Sequence, residues 1–311
     1  MIYIFGAGYM AKQYLNALKE LKCGAEVVSL SSNSADVIKT QYHIKCHSGG
    51  YSNFRLEIDK DDIAIVCTPV EILSECTKYL IEHGFKKILL EKPGAIDVTE
   101  LTVLNEIASS KNCNVSIAYN RRFFSSVMHL RELLKAEKLL AVDFEITEWT
   151  HRMNLNDYSD AALSRWFLSN TSHVADLVFD VAGQPQELTC YTSGSLPWHR
   201  ASSRFSGSGR TVNDVLISYK GFWDAPGRWS AEFITHAHRY YLCPMEKLYC
   251  QEKGSVDVCE VANVDYSDDE MCKPGVKKML QAFQAEEYQK LCSLSEQISN
   301  FKTYYKMANY S

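Results

Sequence analysis

The chain has 311 residues, 46% hydrophobic and 23% charged, with a formal net charge of −5. That length holds a sizeable core and suggests two domains at ~100–200 residues each, and mixed charges along the whole chain argue against a nucleic-acid surface. The eleven cysteines are scattered through mostly apolar segments without a CxxC pair, which fits reduced thiols better than a disulfide framework. Cys46 and His47, near His43, read as a polar surface loop, so no metal is expected. A basic leader with an apolar core is missing, as is an apolar run of ~18 residues; a cytoplasmic protein away from the membrane is expected.

In chain order, Ile2 to Phe5 form a short apolar strand, and Gly6, Gly8 and Ala11 follow at the spacing Gly-x-Gly-x-x-Ala, with Tyr9 and Met10 opening a helix. The first glycine permits a tight turn, the second lets backbone amides approach a pyrophosphate, and the small third residue allows close helix–strand packing. A dinucleotide is the expected ligand; the alternative is a strand-to-helix turn that binds nothing. Further strands are expected at 26–30, 62–67, 87–90 and 114–118, and helices at 9–22, 70–83 and 98–110. Asp97 or Thr99 caps the third helix, and Leu101, Leu104, Ile107 and Ala108 give its apolar positions. This alternation predicts a doubly wound parallel sheet whose ligands sit at the carboxyl ends of its strands.

Beyond residue 120 the pattern becomes alternating: 141–149, 187–192, 211–220, 228–238, 239–244 and 247–255 read as largely antiparallel strands with one covered face, beside helices at 123–137 and 166–182. SRFSGSGRT (203–211) reads as a flexible loop, and 275–308 returns to helical periodicity, packing back on the first domain. The expected architecture is thus α/β, with a Rossmann domain over 1–120 and an α+β domain over 121–311 built on an open sheet. An exposed sheet face invites either substrate or a second subunit.

Four segments fall where such a fold places its site: Thr68 and Pro69 after the strand DIAIVC, Glu91, Lys92 and Pro93 after KILL, Tyr119 to Phe123 after the next strand, and SNTSHVADLVFDVAG, with His173 near a helix start and Asp176 one turn on. Together with the glycine turn, these residues resemble the glucose-fructose oxidoreductase, inositol dehydrogenase and rhizopine-catabolism (Gfo/Idh/MocA) family of NAD(P)-dependent oxidoreductases. The resemblance spans nearly the whole chain, and Glu-Lys-Pro after an apolar strand is its most specific element. It implies hydride transfer at a carbon of a sugar, cyclitol or nucleotide-activated sugar, and homodimers or homotetramers formed through the open sheet. By position, Lys92 would contact the reacting hydroxyl or carbonyl and His173 would act as general acid/base. An imidazole with an ordinary pKa near ~6.5 suits removal of the hydroxyl proton, and a lysine ammonium stabilises the developing oxyanion. The competing readings are a solvated Lys92 and a capping or core His173. Asp176 either orients His173, lines the site, or is a first-turn acid favoured by the helix dipole.

This chain departs from the family in three places. Ser169, followed by Asn170, stands where many relatives carry an aspartate four residues before the histidine, which leaves proton transfer to His173 and Lys92 and gives Asn170 a hydrogen bond to substrate. Leu73 replaces a histidine often found after Thr-Pro. Ser31, Ser32 and Asn33 stand where an acid would hold the ribose hydroxyls of NAD; NADP is therefore permitted and NAD is not excluded. Gly6, Gly8, Tyr9, Met10, Ser31, Ser32, Thr68, Pro69, Glu91 and Lys92 are the expected cofactor contacts.

On the substrate side, Arg204, Arg210 or Arg228 could pair with an anionic group, and the aromatic residues of GFWDAPGRWS suit a sugar ring; the alternative is hairpin loops with an aromatic cross-strand pair. With His151, Arg152, Arg165 and Trp166 they favour an anionic or nucleotide-linked sugar. Of Arg121 and Arg122, one faces the site and the other is structural. Arg122, Trp166, Asn170, Asp176 and Arg228 are the expected substrate contacts. Two alternatives keep the cofactor but change the role: a redox-assisted glycosidase with tightly held NAD, and a non-catalytic NAD(P)H sensor.

Overall fold

The computed structural model describes residues 1–55 and 57–310 and divides them into two compact units, Met1–Asn120 with Met271–Ser299, and Arg121–Glu270 with the segment from Asn300. Among the described residues no helix is long and apolar enough to cross a membrane.

The first unit contains β1 (Ile2–Phe5), α1 (Tyr9–Glu20), β2 (Ala25–Val28), α2 (Ser32–Tyr42), β3 (Cys46–His47), β4 (Ile63–Val66), α3 (Leu73–Glu82), β5 (Lys87–Leu90), α4 (Val98–Ser110) and β6 (Asn114–Ile117). Its sheet has the order 6-5-4-1-2-3 for these strands, all parallel, so the direction of winding reverses beside β1. Strands β1 and β4 are buried throughout, as strands covered on both faces must be. Asp97 caps α4 through a hydrogen bond from the Thr99 amide.

The second unit contains α5 (Ser125–Leu134), β7 (Leu139–Ile146), α6 (Asp160–Ser164), α7 (Ser172–Ala182), β8 (Pro185–Ser193), β9 (Arg204–Thr211), β10 (Leu216–Phe222), β11 (Trp229–Thr235), β12 (His238–Leu242), β13 (Tyr249–Glu252), β14 (Cys259–Glu260) and all but the last residue of α8 (Ser267–Met271). Its eight strands run in the order 14-13-12-11-7-10-9-8, antiparallel except for the parallel pair β7 and β10. Phe205, Ile217, Tyr219, Ala231 and Phe233 occupy buried positions, while Tyr191, Leu216 and Phe222 stand exposed. Trp223 is fully buried and stacked on Trp198.

After α8 come α9 (Val276–Gln284), β15 (Cys292–Ser293) and α10 (Leu294–Ala308). Helix α9 packs on α1 through a buried stripe of Val276, Met279, Leu280 and Phe283, and β15 joins the first sheet antiparallel to β6.

Three expectations change. The stretch 203–211 is strand β9, not a flexible loop: a Cβ on Gly209 would lie 1.9 Å from the Glu187 carbonyl oxygen and one on Gly207 2.4 Å from the Tyr219 ring. Those glycines answer close packing of neighbouring backbone and side chain. Residues 32–42, left without an element, form α2, of which only Ala35 and Ile38 are buried. Residues 275–308 are two helices separated by a short strand, not one continuous element.

Candidate active site

In the first unit the turn after β1 is fixed by Gly6, whose φ is +120° and where a Cβ would lie 2.5 Å from the Cys67 carbonyl oxygen. Gly8 caps α1 and differs in kind: its φ is an ordinary −81°, and a Cβ there meets no described atom within 4 Å. Among the described residues, no side chain caps α1 and no acid stands in its first turn. Its first amides therefore have no side-chain cap at the positive end of the helix, while Ala11 is fully buried. At the carboxyl end of β4 the Thr68 hydroxyl is shielded from solvent and has no hydrogen-bond partner among the described residues. An open amide cradle and an orphaned hydroxyl at strand ends fit a dinucleotide phosphate group.

After β5, Glu91 is buried and accepts a hydrogen bond of 2.6 Å from the hydroxyl of Tyr14, itself buried on α1. Burial holds the Glu91 carboxyl above its ordinary range, opposed by that hydrogen bond and by the charges of Lys92 and Lys273. The Glu91 carboxylate ties the corner to α1. Lys92, half-buried, stands at this corner, joined to Pro93 by a cis peptide bond. The Pro93 carbonyl accepts from Gln297 Nε2 at 2.9 Å, and Gln297 also donates to the Tyr119 hydroxyl. The corner thus has one support from α1 and another from Gln297.

Ser31 caps α2, its hydroxyl accepting from the Ser34 amide at 3.2 Å, with Ser32 exposed beside it. Tyr9 is largely exposed, with the Lys273 ammonium 5.1 Å from its ring centre, and Met10 begins the first turn of α1.

The second unit holds its own cavity of about 230 Å³, lined by Arg121, Thr147, Glu148, Trp149, Asn170, Arg228, Trp229, Met245 and Glu246. Five connections build it: the β6–α5 segment, the end of β7, the turn before α7, the β10–β11 loop and the β12–β13 loop. Residues Phe167–Thr171 form a widened π-type turn that runs directly into α7, so the helix expected over 166–182 is present with its first turn wound wider, a feature often found where chemistry-bearing residues stand. Asn170 projects from that turn and donates to both oxygens of Glu148, at 3.1 and 3.0 Å, while the Thr171 hydroxyl donates to Oε1. The Arg121 guanidinium lies 4.6 Å from the Trp229 ring centre, a cation–π contact. Burial pulls its pKa down to about 10, with the charges of Glu246 and Glu148 opposing, so it remains cationic at neutral pH. Trp149 Nε1 donates to the Gly227 carbonyl, and His173, buried in the first turn of α7, has its ring 6.5 Å from that of Trp229.

Of the expected substrate residues, Asn170 and Arg228 line this cavity. Arg122 does not: it is buried and makes a bidentate pair with Asp176, Nε to Oδ2 at 2.9 Å and Nη2 to Oδ1 at 2.6 Å, with Asp180 also on its guanidinium. Of the two adjacent arginines, Arg121 lines the cavity, and Asp176 serves the buried pair with Arg122. Trp166 is buried edge-on against Tyr158 and Trp198, away from the cavity lining. Arg204 pairs with Asp224 and Arg210 with Asp214, so neither is reserved for an anionic group. Ser169 turns its hydroxyl onto the Ala162 carbonyl at 3.3 Å. Glu148 was missed, yet it carried a signal. Val142, Phe144 and Ile146 are the inward residues of β7, and Glu148 continues their parity, an acid at a core-facing position.

Comparison with known proteins agrees with the nucleotide-binding half of this geometry. Residues 1–119 match the model of an oxidoreductase family with an NAD-binding Rossmann fold, Gfo/Idh/MocA. A segment of 138 residues is 24% identical to the scyllo-inositol 2-dehydrogenase (NADP⁺) of Bacillus subtilis strain 168, covering 41% of this chain and 37% of that enzyme. The match thus spans little more than a third of the relative's length. Over 99% of the chain, the fold matches a levoglucosan dehydrogenase solved with NADH and L-sorbose (TM-score 0.78, 14% identity, 95% of that chain). It also matches a UDP-N-acetylglucosamine 3-dehydrogenase from Acidithiobacillus ferrooxidans (TM-score 0.75, 11% identity, 99% of this chain and 96% of that one). An oxidoreductase from Agrobacterium radiobacter in complex with NAD⁺, L-tartaric acid and magnesium matches at TM-score 0.78 and 11% identity, over 99% of this chain and 96% of that one. The amide cradle and the Glu-Lys-Pro corner both lie within residues 1–119, the stretch that matches the model of the NAD-binding Rossmann fold of the Gfo/Idh/MocA oxidoreductases.

Proposed function

We propose that the protein is an NAD(P)-dependent oxidoreductase that interconverts a hydroxyl and a ketone on a sugar or nucleotide-activated sugar. The observation that carries this reading is the contrast between the two glycines: Gly6 is required by the fold, whereas Gly8 borders space that no described side chain fills. A nicotinamide dinucleotide, when bound, supplies the hydride acceptor or donor. Gly8, Tyr9 and Met10 would present the amides that hold its phosphates, Thr68 and Pro69 border it, and Ser31 and Ser32 take the ribose end, where the lack of an acid admits NADP as well as NAD. Lys92 stabilises charge on the reacting oxygen and His173 exchanges its proton, roles taken from the family resemblance and consistent with ammonium and imidazole chemistry. The neighbours' substrates, levoglucosan and UDP-N-acetylglucosamine among them, support a carbohydrate-class ligand. The open face of the second sheet, with Tyr191, Leu216 and Phe222 exposed, supports a homodimer or homotetramer formed there.

The test is direct: follow NADH and NADPH fluorescence during titration with protein, then screen levoglucosan, scyllo-inositol and UDP-N-acetylglucosamine for formation of reduced coenzyme. Saturable binding of at least one coenzyme with turnover of one of these carbohydrates is expected. Binding of neither coenzyme overturns the reading.

A further inference from the structure

Resting on the carbohydrate reading, the second unit's cavity points to a substrate-binding group that the family resemblance does not supply. Ser169 turns its hydroxyl onto the Ala162 backbone and is not among the residues that line the cavity. A carboxylate is nevertheless present. Glu148 lines the cavity although only 7% of its surface is exposed. Its orientation is fixed by Asn170 and Thr171, both in the turn that leads directly into His173. A nearly buried carboxylate costs several kcal/mol of desolvation unless it is compensated, and the fold retains one here, at the end of a strand whose other inward residues are apolar.

The remaining lining defines the ligand class. Arg121 and Arg228 balance Glu148 and Glu246, so the cavity holds no surplus of positive charge for a phosphate. Trp149 and Trp229 provide the flat apolar walls that suit the faces of a sugar ring. At about 230 Å³ the cavity holds a small polar ring, below the ~300 Å³ of drug-sized sites.

We propose that Glu148 is a substrate-binding residue whose carboxylate accepts hydrogen bonds from the hydroxyls of a neutral polyhydroxylated ring. Glutamine at this position keeps an oxygen for the Thr171 and Asn170 donors at Oε1 and replaces the Oε2 acceptor, which also takes a bond from Asn170, with a donor. Trp149 and Trp229 report filling of the cavity through intrinsic fluorescence, without turnover. Levoglucosan, scyllo-inositol and UDP-N-acetylglucosamine are titrated into the full chain with NADH or NADPH present. At least one is expected to bind the wild type saturably, and Glu148→Gln is expected to bind it about 10-fold more weakly or worse, with Glu148→Asp recovering part of the loss and coenzyme affinity unchanged in both. Should Glu148→Gln fail to fold, Glu148→Asp against wild type carries the same comparison. Equal affinity in the variant overturns the role of Glu148 alone. Failure of all three carbohydrates to bind the wild type overturns the ligand class as well, while the coenzyme titration decides the oxidoreductase reading separately.

Discussion

The Tyr14 hydroxyl donates to the buried carboxylate of Glu91 at 2.6 Å, which makes the first helix part of the mounting that holds the Glu-Lys-Pro corner. Burial raises the Glu91 pKa, so the folded state holds its proton more tightly than the unfolded chain does. The contribution of this group is therefore greatest below the unfolded value near ~4.3 and declines as pH rises through the higher folded value. Tyr14→Phe removes the hydroxyl that donates to this carboxylate and should cost about 1–3 kcal/mol, lowering the thermal midpoint by roughly 2–10 °C. Glu91→Gln keeps an acceptor for Tyr14 without a charge and should unfold no earlier than wild type at pH 7.5. Scanning calorimetry of both variants checks the pair; a Glu91→Gln midpoint well below wild type would contradict it.

Asp176 and Arg122 form a second buried pair, and its consequence is for stability. Asp176→Asn should destabilise by about 3–5 kcal/mol, because it removes the charge opposite a buried guanidinium. Replacing both partners with apolar residues of similar volume, Arg122→Met with Asp176→Leu, should recover much of that loss. Urea denaturation measures both; a stable Asp176→Asn protein would mean that Asp180 alone balances Arg122.

His199 is fully buried, with Nδ1 2.6 Å from the Ser202 carbonyl oxygen and Nε2 2.7 Å from the Tyr310 hydroxyl. Burial, aided by the charge of Arg165, lowers its pKa below the ordinary value. The unfolded chain then binds more protons than the folded one as pH falls below ~6.5, so stability should decline between pH 6.5 and the lower folded value. The thermal midpoint of wild type is expected to fall over that window, and the slope to be shallower in His199→Gln. Identical slopes would assign the acid sensitivity elsewhere.

Lys92→Ala and His173→Ala should each lower kcat by ~10²-fold or more with little change in coenzyme affinity. Steady-state kinetics beside coenzyme titration reads both quantities. Full activity in either variant rejects the role assigned to that residue.

The parallel half of the fold was legible because its strands are short apolar runs punctuated by glycine, and β1 and β5 fall at 2–5 and 87–90 as read. Helix α2 escaped because Ser31 to Ser34 resemble a turn and only two of its residues are buried. Strand β9 escaped because Gly207 and Gly209 read as flexibility, when their small size serves contact with Tyr219 and Glu187. In the candidate site, Asn170 and Arg228 were found from residue type, but adjacent Arg121 and Arg122 could be told apart only by three-dimensional partners. Glu148 needed strand parity to be read one residue pair beyond the last apolar position.

The dinucleotide cradle is tested most directly by isothermal titration of NADH and NADPH into the wild type and Gly8→Val. Space around Gly8 allows valine to fold, so the variant should keep the wild-type thermal midpoint while losing coenzyme binding. A Gly8→Val protein that binds either coenzyme as tightly as wild type, or a wild type that binds neither, would contradict the account.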